Sequence, residues 1–336
     1  MSETNLLEVE GLKTYFHTAA GVARAVDGVS FTLERGKTLA IVGESGSGKS
    51  VTASSLMHLL PKTGKIEEGT ITFDGTDIVH ADEGRLRELR GKDISMIFQD
   101  PMTALDPVFT VGSQMIENIR IHEDMDRAAA RERAIEMLKL VNIPNPEKRL
   151  DSYPYELSGG MCQRVMIAMA MSCHPKLIIA DEPTTALDVT VQAQVLRLLK
   201  GLSEKLGTAI LLITHNLGIV WEMAEEVMVM YAGRTCEYAT TEELYSNPLH
   251  PYTWGLLDSM PKLSDAAKTD LKTIPGTPPD LRLTGACCNF HNRCPYACDA
   301  CRASVPPLVE VAPGHFVACH RQNGEQTLAR GADHAE

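Results

Sequence analysis

The chain has 336 residues, of which 44% are hydrophobic and 23% are charged, and its formal net charge is −12. This composition is ordinary for a globular protein, and its acidity argues against a nucleic-acid binder that works through a broad basic surface. No apolar run reaches the roughly 18 to 20 residues that a membrane-spanning helix needs, and the start MSETNLLEVE lacks the pattern of a secretion signal. We therefore expect a cytoplasmic chain.

Strand and helix patterns alternate along the first 240 residues. Short strands are predicted before residue 75, and the apolar runs KTLAIVG, KLIIAD and AILLITH predict strands that are buried on both faces. Helical spacing occurs in KSVTASSLMHLL, over residues 111–143 and 161–173, and in VTVQAQVLRLLKGLSEKL. Strands that alternate with helices indicate an α/β fold with a largely parallel sheet covered by helices.

The character of the sequence changes at about residue 240. Proline-rich stretches such as NPLHPY, IPGTPPD and VPPL appear, and six of the nine cysteines fall between Cys287 and Cys319. We predict a C-terminal extension over residues 241–336, with a cysteine cluster at about 287–320. In a reducing compartment such a cluster suggests a metal site before it suggests disulfides.

The segment GESGSGKS has the G-x-x-x-x-G-K-S spacing of a phosphate-binding loop. Its glycines allow backbone N–H groups to wrap around phosphate oxygens, and the helix that follows points its positive end at the same anion. Lys49 can reach the β- and γ-phosphates, and Ser50 can ligate Mg²⁺. A chance glycine-rich turn is the alternative, which the strand–loop–helix context disfavours. The predicted nucleotide contacts here are Gly43, Ser45, Gly46, Gly48, Lys49, Ser50 and Val51.

Polar side chains follow three predicted strands. Asp181 and Glu182 come after KLIIA, His215 comes after AILLIT, and Gln99 ends the run MIFQ. Because ligands bind at the carboxyl ends of strands in open α/β sheets, Asp181 is suited to holding Mg²⁺ and Glu182 to polarising the attacking water. The alternatives are an ordinary acidic loop and a structural histidine. Gln99 could reach Mg²⁺ or the attacking water, or could start a turn.

The stretch LSGGMCQRV places Ser158, Gly159 and Gly160 before an apolar helix. A serine at the N-cap and a glycine-rich helix start make a second anion site. About 110 residues separate it from the first phosphate loop. We therefore expect this site to serve a nucleotide held by another chain, in a head-to-tail dimer.

These motifs occur in the order and spacing of the ATP-binding cassette (ABC) ATPases, which residues 1–240 resemble. The resemblance implies an ABC-type P-loop NTPase fold, with a mostly parallel sheet core, an antiparallel β subdomain and a helical subdomain at about residues 100–175. It implies ATP and Mg²⁺ as ligands, with Ser50, Gln99 and Asp181 around the ion.

The same resemblance assigns further roles. Ser158 and Gly160 would contact the γ-phosphate across the dimer, beside Gly159, and Gln99 would link the nucleotide to a membrane partner. Asp188 would lie in the loop that joins the two active sites, and His215 would contact the γ-phosphate. The aromatic residue stacked on adenine would be Phe16, with Tyr15 next. Asn216 departs from the family, which commonly has aspartate after the switch histidine.

The segment NPLHPYTWGLLDSMP and the cysteine-rich tail resemble the ATPase subunits of dipeptide, oligopeptide and nickel permeases. This implies an ATP-hydrolysing, energy-coupling subunit of a membrane importer of di- and oligopeptides, peripheral at the cytoplasmic face of the inner membrane. Implied partners are a second homologous ATPase, two transmembrane permease subunits and, indirectly, an extracytoplasmic peptide-binding protein, with no nucleic acid. The alternatives are a nickel or glutathione importer, a soluble ABC ATPase acting on nucleic acid or ribosomes, and a scaffold module with negligible turnover.

Four cysteines match the tail pattern of this family, C-x5-C-x6-C-x17-C: Cys288, Cys294, Cys301 and Cys319. The resemblance implies a 4Fe–4S cluster, because some members hold one there. Four thiolates also suit zinc, and a tail without metal is the third alternative. Four further residues could compete as ligands, namely Cys287, His291, Cys298 and His320. Cys298 also creates a superficial radical-SAM spacing, which we discount because no barrel accompanies it.

Overall fold

The computed structural model describes residues 4–185, 187–260, 273–322 and 328–330. The chain forms two compact units, each assembled from separate stretches of sequence. The first comprises Met1–Leu6, Leu33–Thr38 and His80–Ile213, and the second comprises Leu7–Thr32, Leu39–Val79 and Thr214–Glu336. The predicted boundary at residue 240 stays a prediction, and residues 261–272, 323–327 and 331–336 of the predicted extension lie outside the described residues.

The strands, in chain order, are β1 (Asn5–Thr18), β2 (Gly21–Glu34), β3 (Thr38–Val42), β4 (Gly64–Phe73), β5 (Thr76–Asp77), β6 (Ile94–Ile97), β7 (Leu177–Asp181), β8 (Ala209–Thr214), β9 (Glu226–Tyr231), β10 (Arg234–Thr240), β11 (Val309–Ala312) and β12 (His315–Val317). The helices are α1 (Lys49–Leu56), α2 (Glu83–Leu89), α3 (Pro101–Ala104), α4 (Val111–His122), α5 (Arg127–Leu140), α6 (Pro146–Arg149), α7 (Gly159–Met171), α8 (Val189–Leu206), α9 (Leu217–Met223), α10 (Thr241–Ser246), α11 (Pro251–Asp258) and α12 (Asp299–Ala303). A short 3₁₀ helix spans Pro154–Glu156.

A parallel sheet in the order β6-β7-β8 forms the centre of the first unit. Every residue of β7 and every residue of β8 is buried, as expected for strands covered on both faces. The predictions made from KLIIAD and AILLITH are therefore confirmed. The parallel pairing sets Asp181 opposite Ile213, so both strands deliver their carboxyl ends to the same edge.

The helices of the first unit begin where capping side chains satisfy their first N–H groups. Thr110, Asp126 and Ser158 accept hydrogen bonds at the starts of α4, α5 and α7. The helical pattern predicted over residues 111–143 is confirmed as two helices, α4 and α5. The acidic stretch around Asp126 separates them because it caps the second helix rather than extending the first.

The second unit contains a sheet in the order β3-β9-β10-β12-β11. β3 runs parallel to β9, whereas the other neighbours pair antiparallel. β11 and β12 come from the proline-rich tail, so described parts of the predicted extension pack as strands beside β10. The Glu237 carboxylate, fully buried, accepts from the His250 backbone N–H at 3.0 Å and lies 2.8 Å from His315 Nε2.

A four-stranded sheet runs in the order β2-β1-β4-β5, with antiparallel pairing between β1 and β4 and between β4 and β5. Its strands are longer than the short ones predicted, since β1 and β2 each span 14 residues. Gly11 adopts φ +58° at the register shift between Glu10 and Lys13, where an extra residue bulges and β1 continues. Across the described ranges, no helix has the length and apolarity needed to cross a membrane.

Candidate active site

The phosphate loop, residues 43–50, connects β3 to α1 in the second unit. Two of its glycines cannot be replaced without a collision. A Cβ at Gly43 would lie 2.2 Å from the Met230 carbonyl oxygen, and a Cβ at Gly48 would lie 2.3 Å from the Ala25 carbonyl oxygen. Both glycines also adopt positive φ, at +151° and +107°. The sequence therefore uses glycine here because the backbone of the same chain passes too close for any side chain.

The Lys49 ammonium is held inside this loop. It donates hydrogen bonds to the carbonyl oxygens of Gly43 at 2.8 Å and Glu44 at 2.9 Å, and Lys49 is buried. Ser45, Gly46 and Ser50 are exposed, and Val51 lies in the first turn of α1. The fold thus collects the predicted phosphate contacts of this segment into one turn at a helix N-terminus.

The two aromatic candidates for adenine lie at the end of β1. The Tyr15 hydroxyl donates to the Asp27 carboxylate at 2.7 Å, and burial, then this hydrogen bond, raises the pKa of Tyr15 to about 12. The Phe16 ring lies over Gly64 of β4, where a Cβ would be 2.9 Å from the ring. Phe16 is half-buried and has a purely hydrocarbon side chain. Its role in binding adenine stays a prediction.

In the first unit, the structure brings together two predicted catalytic residues. Gln99 Nε2 donates to Glu182 Oε2 at 3.1 Å, and the Thr185 hydroxyl donates to the same oxygen at 2.9 Å. Glu182 follows β7 with φ +46°, a left-handed conformation that costs a residue other than glycine about 1 kcal/mol or more. Its backbone N–H donates to the Ile213 carbonyl oxygen at 2.8 Å. Asp181, the last residue of β7, is buried.

Sequence reasoning missed Thr185 and the strained backbone of Glu182. The signal was present in the run DEPTTALD, where a threonine stands three residues after the glutamate in a turn. A hydroxyl at that spacing can reach back to the carboxylate. The two donors on one oxygen fix the direction of the Glu182 carboxylate.

The signature turn, Ser158–Gly160, starts α7 as predicted. The Ser158 hydroxyl accepts from the Met161 N–H at 3.4 Å, so the serine is the N-cap. No described atom lies within 4 Å of a Cβ placed at Gly159, and a Cβ at Gly160 would touch the Val191 side chain at 3.0 Å.

The signature turn opens on a cavity of about 650 Å³ in the first unit. Arg164 and Arg197 line it together with the side chains of Asn142 and Gln194, and none of its described lining residues is acidic. Arg164, which sequence reasoning left unused, donates to the Val141 carbonyl oxygen at 2.9 Å and to Gln194 at 3.1 Å. It therefore fastens the signature helix to the end of α5 and to α8, and the cavity carries positive charge.

Two further predicted site residues, Asp188 and His215, lie near the starts of helices. Asp188 caps α8, where its carboxylate accepts from the N–H groups of Thr190 at 3.1 Å and Val191 at 3.0 Å. His215 is exposed immediately after β8. Asn216 caps α9 by accepting from the Gly218 N–H at 2.9 Å, so amide and carboxylate can fill this position equally well.

The four predicted metal-ligating cysteines lie close together in the second unit. Each of the six pairs among Cys288, Cys294, Cys301 and Cys319 is close enough for one thiolate to raise the pKa of the other thiol. Burial raises the pKa of Cys288 and Cys319 to about 11 and of Cys294 to about 12. No disulfide joins these described cysteines.

The arrangement of these thiols does not match a single-ion site. In the described ranges, no group of three or more His, Cys, Asp or Glu side chains is placed to hold a metal ion. Around zinc, with Zn–S bonds of about 2.3 Å, thiolates would approach one another to about 3.8 Å. The zinc prediction thus has no support in the described geometry, and the iron–sulfur prediction has only the convergence of four thiols.

Comparison with known proteins matches both parts of the chain. Residues 26–185 match the family described as ABC transporter, and residues 236–301 match the C-terminal region of oligopeptide/dipeptide transporters. A probable peptide ABC transporter ATP-binding protein of Sinorhizobium fredii is 51% identical over 95% of this chain and 95% of its own length. The oligopeptide transport ATP-binding protein OppD of Bacillus subtilis is 51% identical over 94% of this chain and 88% of its own length.

Solved structures give the same answer for the fold. An ATP-binding cassette, seen as a dimer in a post-hydrolysis state with ADP and Pi, superposes with a TM-score of 0.63 at 26% identity, over 70% of this chain and 98% of its own. The protein cbiO1 of Clostridium perfringens, part of the ABC transporter complex cbiONQ, gives 0.62 at 30% identity, over 73% and 92%. The predicted fold class and ATPase activity are confirmed, and this chain belongs to the ABC transporter ATPase family.

Proposed function

We propose that this chain is the ATP-hydrolysing, energy-coupling subunit of a membrane importer of di- and oligopeptides. The observation that carries the proposal is the 51% identity to a probable peptide ABC transporter ATP-binding protein over 95% of the chain. That span includes the C-terminal region, which matches the oligopeptide/dipeptide transporters. Nothing in the described residues favours a nickel or glutathione importer, a scaffold, or a soluble ATPase acting on nucleic acid.

In this proposal the phosphate loop binds the ATP phosphates. The backbone N–H groups of residues 43–50 and the start of α1 attract the anion, and Lys49 exchanges its loop carbonyls for phosphate oxygens. The oxygen atoms of Ser50, Gln99 and Asp181 are donors of the type that Mg²⁺ prefers. A bound Mg²⁺ supplies charge neutralisation at the β- and γ-phosphates.

Glu182 is the proposed base that orients and polarises the attacking water. Gln99 and Thr185 occupy one carboxylate oxygen, Oε2, and direct the group. His215, exposed at the end of β8, is the proposed contact to the γ-phosphate. Because the transferring phosphoryl group needs little covalent help, catalysis rests on positioning and electrostatic stabilisation.

The signature turn is proposed to cap ATP held by a second cassette. Three features support this: the open space at Gly159, the N–H groups at the start of α7, and the arginines in the adjoining cavity. The solved dimeric cassette with ADP and Pi is consistent with such a pairing. The partner would be a homologous ATPase, with Asp188 near the junction of the two sites.

The permease partners are proposed to contact the exposed apolar surface that surrounds Gln99 in the sequence. Phe98, Met102, Val108 and Phe109 expose 43%, 45%, 69% and 52% of their surface. The proposal takes these four side chains to form one patch, because contiguous exposed apolar patches mark protein contacts. Docking there would place the chain peripherally at the cytoplasmic face of the inner membrane, with the peptide-binding protein reached only through the permease.

For the cysteine cluster, we propose that Cys288, Cys294, Cys301 and Cys319 hold a 4Fe–4S cluster. The support is that all four thiols converge and that four thiolates are the usual ligand set. Purification without oxygen, followed by iron and sulfide analysis and a visible spectrum, tests it. A Cys294→Ser variant should lose the absorbance, whereas Cys173→Ser, outside the cluster, should keep it. Colourless wild-type protein without iron would end this proposal.

The importer proposal is tested with a Glu182→Gln variant, purified from solubilised membranes. We expect turnover to fall by at least about 100-fold, an ATP-bound dimer to accumulate, and the permease subunits to co-purify. Glu132→Gln, an exposed glutamate on α5, is the control and should behave as wild type. ATP-dependent uptake of a labelled dipeptide into proteoliposomes then tests the substrate. Uptake of nickel but no peptide, or co-purification of ribosomes instead of permeases, would contradict the proposal.

A further inference from the structure

Glu44, the second residue of the phosphate loop, is held by two residues that lie far away in the sequence. Its backbone N–H donates to the Tyr252 hydroxyl at 2.8 Å. Its carboxylate is bound by Arg293, through Nη1 at 2.6 Å and Nη2 at 3.0 Å. Its carbonyl oxygen accepts from Lys49 at 2.9 Å. Glu44 therefore connects the C-terminal region of the chain to the lysine that is proposed to bind phosphate.

The Arg293 side chain is only 4% exposed, and each of its N–H groups has an acceptor. Besides Glu44, it donates to the Tyr231 hydroxyl at 3.2 Å and to the carbonyl oxygens of Pro275 at 2.9 Å and Ile274 at 3.1 Å. A guanidinium has five such donors in a fixed plane, so this set of acceptors defines both its position and its orientation. The two-point pair with Glu44 is thus rigid.

Aromatic packing fixes the segment that carries Arg293. The Phe290 ring meets those of Tyr231 and Tyr252 at centroid distances of 5.1 and 5.3 Å, and Phe290 is buried. Asn289 donates to the Ala232 carbonyl oxygen at 2.8 Å. Arg293 itself directly precedes Cys294 in the chain. The position of the cysteine-bearing segment therefore sets the position of the arginine.

We propose that Arg293 and Tyr252 are positioning residues for ATP binding, which hold the phosphate loop through Glu44 and neutralise its carboxylate. This inference rests on the proposed role of residues 43–50 in binding the ATP phosphates. It gives the C-terminal region a function in the nucleotide site of its own chain, separate from contacts with a permease.

Two physical effects lead from this geometry to ATP affinity. An unpaired carboxylate inside an anion-binding loop repels the triphosphate, and the guanidinium removes that charge. A loop that samples several conformations also binds more weakly, in proportion to the fraction that is competent. Both effects raise the Kd for ATP when Arg293 is lost, and the first one vanishes when the carboxylate is removed as well.

The test measures the Kd of the fluorescent nucleotide mant-ATP for the full chain, with melting temperatures recorded in parallel. Arg293→Gln should raise the Kd about tenfold or more, and Tyr252→Phe about threefold. Arg282→Gln and Tyr238→Phe are matched controls, because Arg282 makes a two-point pair with exposed Asp280 and Tyr238 bonds Glu226, so that neither bond involves Glu44. Both controls should stay within about twofold of wild type.

Charge removal separates positioning from general stability. The double variant Glu44→Gln with Arg293→Gln should bind mant-ATP more tightly than Arg293→Gln alone, and Arg293→Lys should recover part of the affinity. The KM for ATP should rise in Arg293→Gln while kcat changes less. A merely structural role predicts lower melting temperatures with an unchanged Kd for the folded protein, and no gain in the double variant.

Lys49→Ala distinguishes this inference from the proposed function. If Lys49→Ala binds mant-ATP like wild type, the assignment of the phosphate loop is wrong. If Lys49→Ala loses binding but both Arg293→Gln and Tyr252→Phe keep the wild-type Kd, only the positioning role is overturned. Should Arg293→Gln fail to fold, Tyr252→Phe against Tyr238→Phe decides alone, since each removes a single hydroxyl.

Discussion

The chain contains two glycine-rich turns at the starts of helices, and they are built in opposite ways. In the phosphate loop, a side chain at Gly43 or Gly48 would collide with backbone of the same unit. In the signature turn, nothing described lies within 4 Å of a Cβ at Gly159, and neither Gly159 nor Gly160 has positive φ. The backbone of the chain itself therefore requires glycine at Gly43 and Gly48 but not at Gly159.

This difference indicates which anion site is complete. The phosphate loop is held on several sides by its own chain, including Tyr252 and Arg293, and its lysine is already enclosed. The signature turn faces an open cavity lined by arginines. Glycine at a position where the chain leaves room for a side chain is consistent with a surface that another molecule approaches closely.

Replacing Gly48 by alanine should give the largest effect. The new Cβ would lie 2.3 Å from the Ala25 carbonyl oxygen at φ +107°, so we expect a loss of at least about 3 kcal/mol of unfolding free energy and no mant-ATP binding. Gly46→Ala is the control, because Gly46 has φ +77° but no described atom lies within 4 Å of a Cβ placed there. Its cost should be about 1 kcal/mol, by urea denaturation. Equal losses in the two variants would show that backbone strain, not collision, limits this loop.

Replacing Gly159 by alanine should leave the fold intact and damage turnover. Alanine favours a helix over glycine, so the unfolding free energy should not fall, and mant-ATP binding should stay within about twofold. ATPase activity of the assembled transporter should drop at least about tenfold, because the methyl group enters the space proposed for a partner's γ-phosphate. Gly201→Ala in α8, where likewise no described atom lies within 4 Å of the new Cβ, should leave activity unchanged. Full activity in Gly159→Ala would break the contrast between the two turns.

Local sequence patterns were enough to predict the elements that depend on residues close together in the sequence. The buried strands β7 and β8, the helix α8 and the cap at Ser158 depend on residues that are neighbours in sequence, and each was predicted correctly. The phosphate loop could be predicted for the same reason, because its glycines, Lys49 and Ser50 lie within one turn.

The supports of the phosphate loop could not be read in this way. Arg293 and Glu44 are separated by 249 residues, and neither has a local pattern that points to the other. The left-handed backbone of Glu182 depends on the packing around the end of β7. The hairpin of β11 and β12 also comes from a proline-rich tail in which no strand was predicted, and its pairing with β10 arises only once the sheet has formed.

Acid should weaken the support that α11 gives to the phosphate loop. Burial lowers the pKa of His250 to about 4, although the nearby Glu237 carboxylate acts in the opposite direction. Its Nδ1 caps α11 by accepting from the Tyr252 N–H at 3.0 Å, which requires an unprotonated nitrogen. Between about pH 6.5 and 4, His250 binds a proton in the unfolded chain but stays neutral in the folded chain.

The free energy of unfolding should therefore fall as the pH drops from about 6.5 towards 4, by up to about 1.4 kcal/mol per pH unit from this group. A His250→Asn variant keeps an acceptor at the cap but does not titrate. Urea denaturation of both proteins between about pH 7.5 and 5 should show that the advantage of the wild type shrinks in acid. Parallel pH profiles for the two proteins would assign the acid sensitivity to other groups.

Replacing Asn216 by aspartate should have the smallest effect. It tests the start of α9, which follows β8, beside the starts of α1 and α7 compared above. The Asn216 side chain already accepts from the Gly218 N–H, and a carboxylate can accept in the same way with a slight gain from the helix dipole. We expect unfolding free energy to change by less than about 0.5 kcal/mol and ATPase activity to stay within about threefold. Asn216→Ala, which removes the cap, should cost about 1 kcal/mol. A large gain of activity in Asn216→Asp would mean that the charge acts beyond its own helix and that another molecule completes the strand end of β8, as we propose for the signature turn.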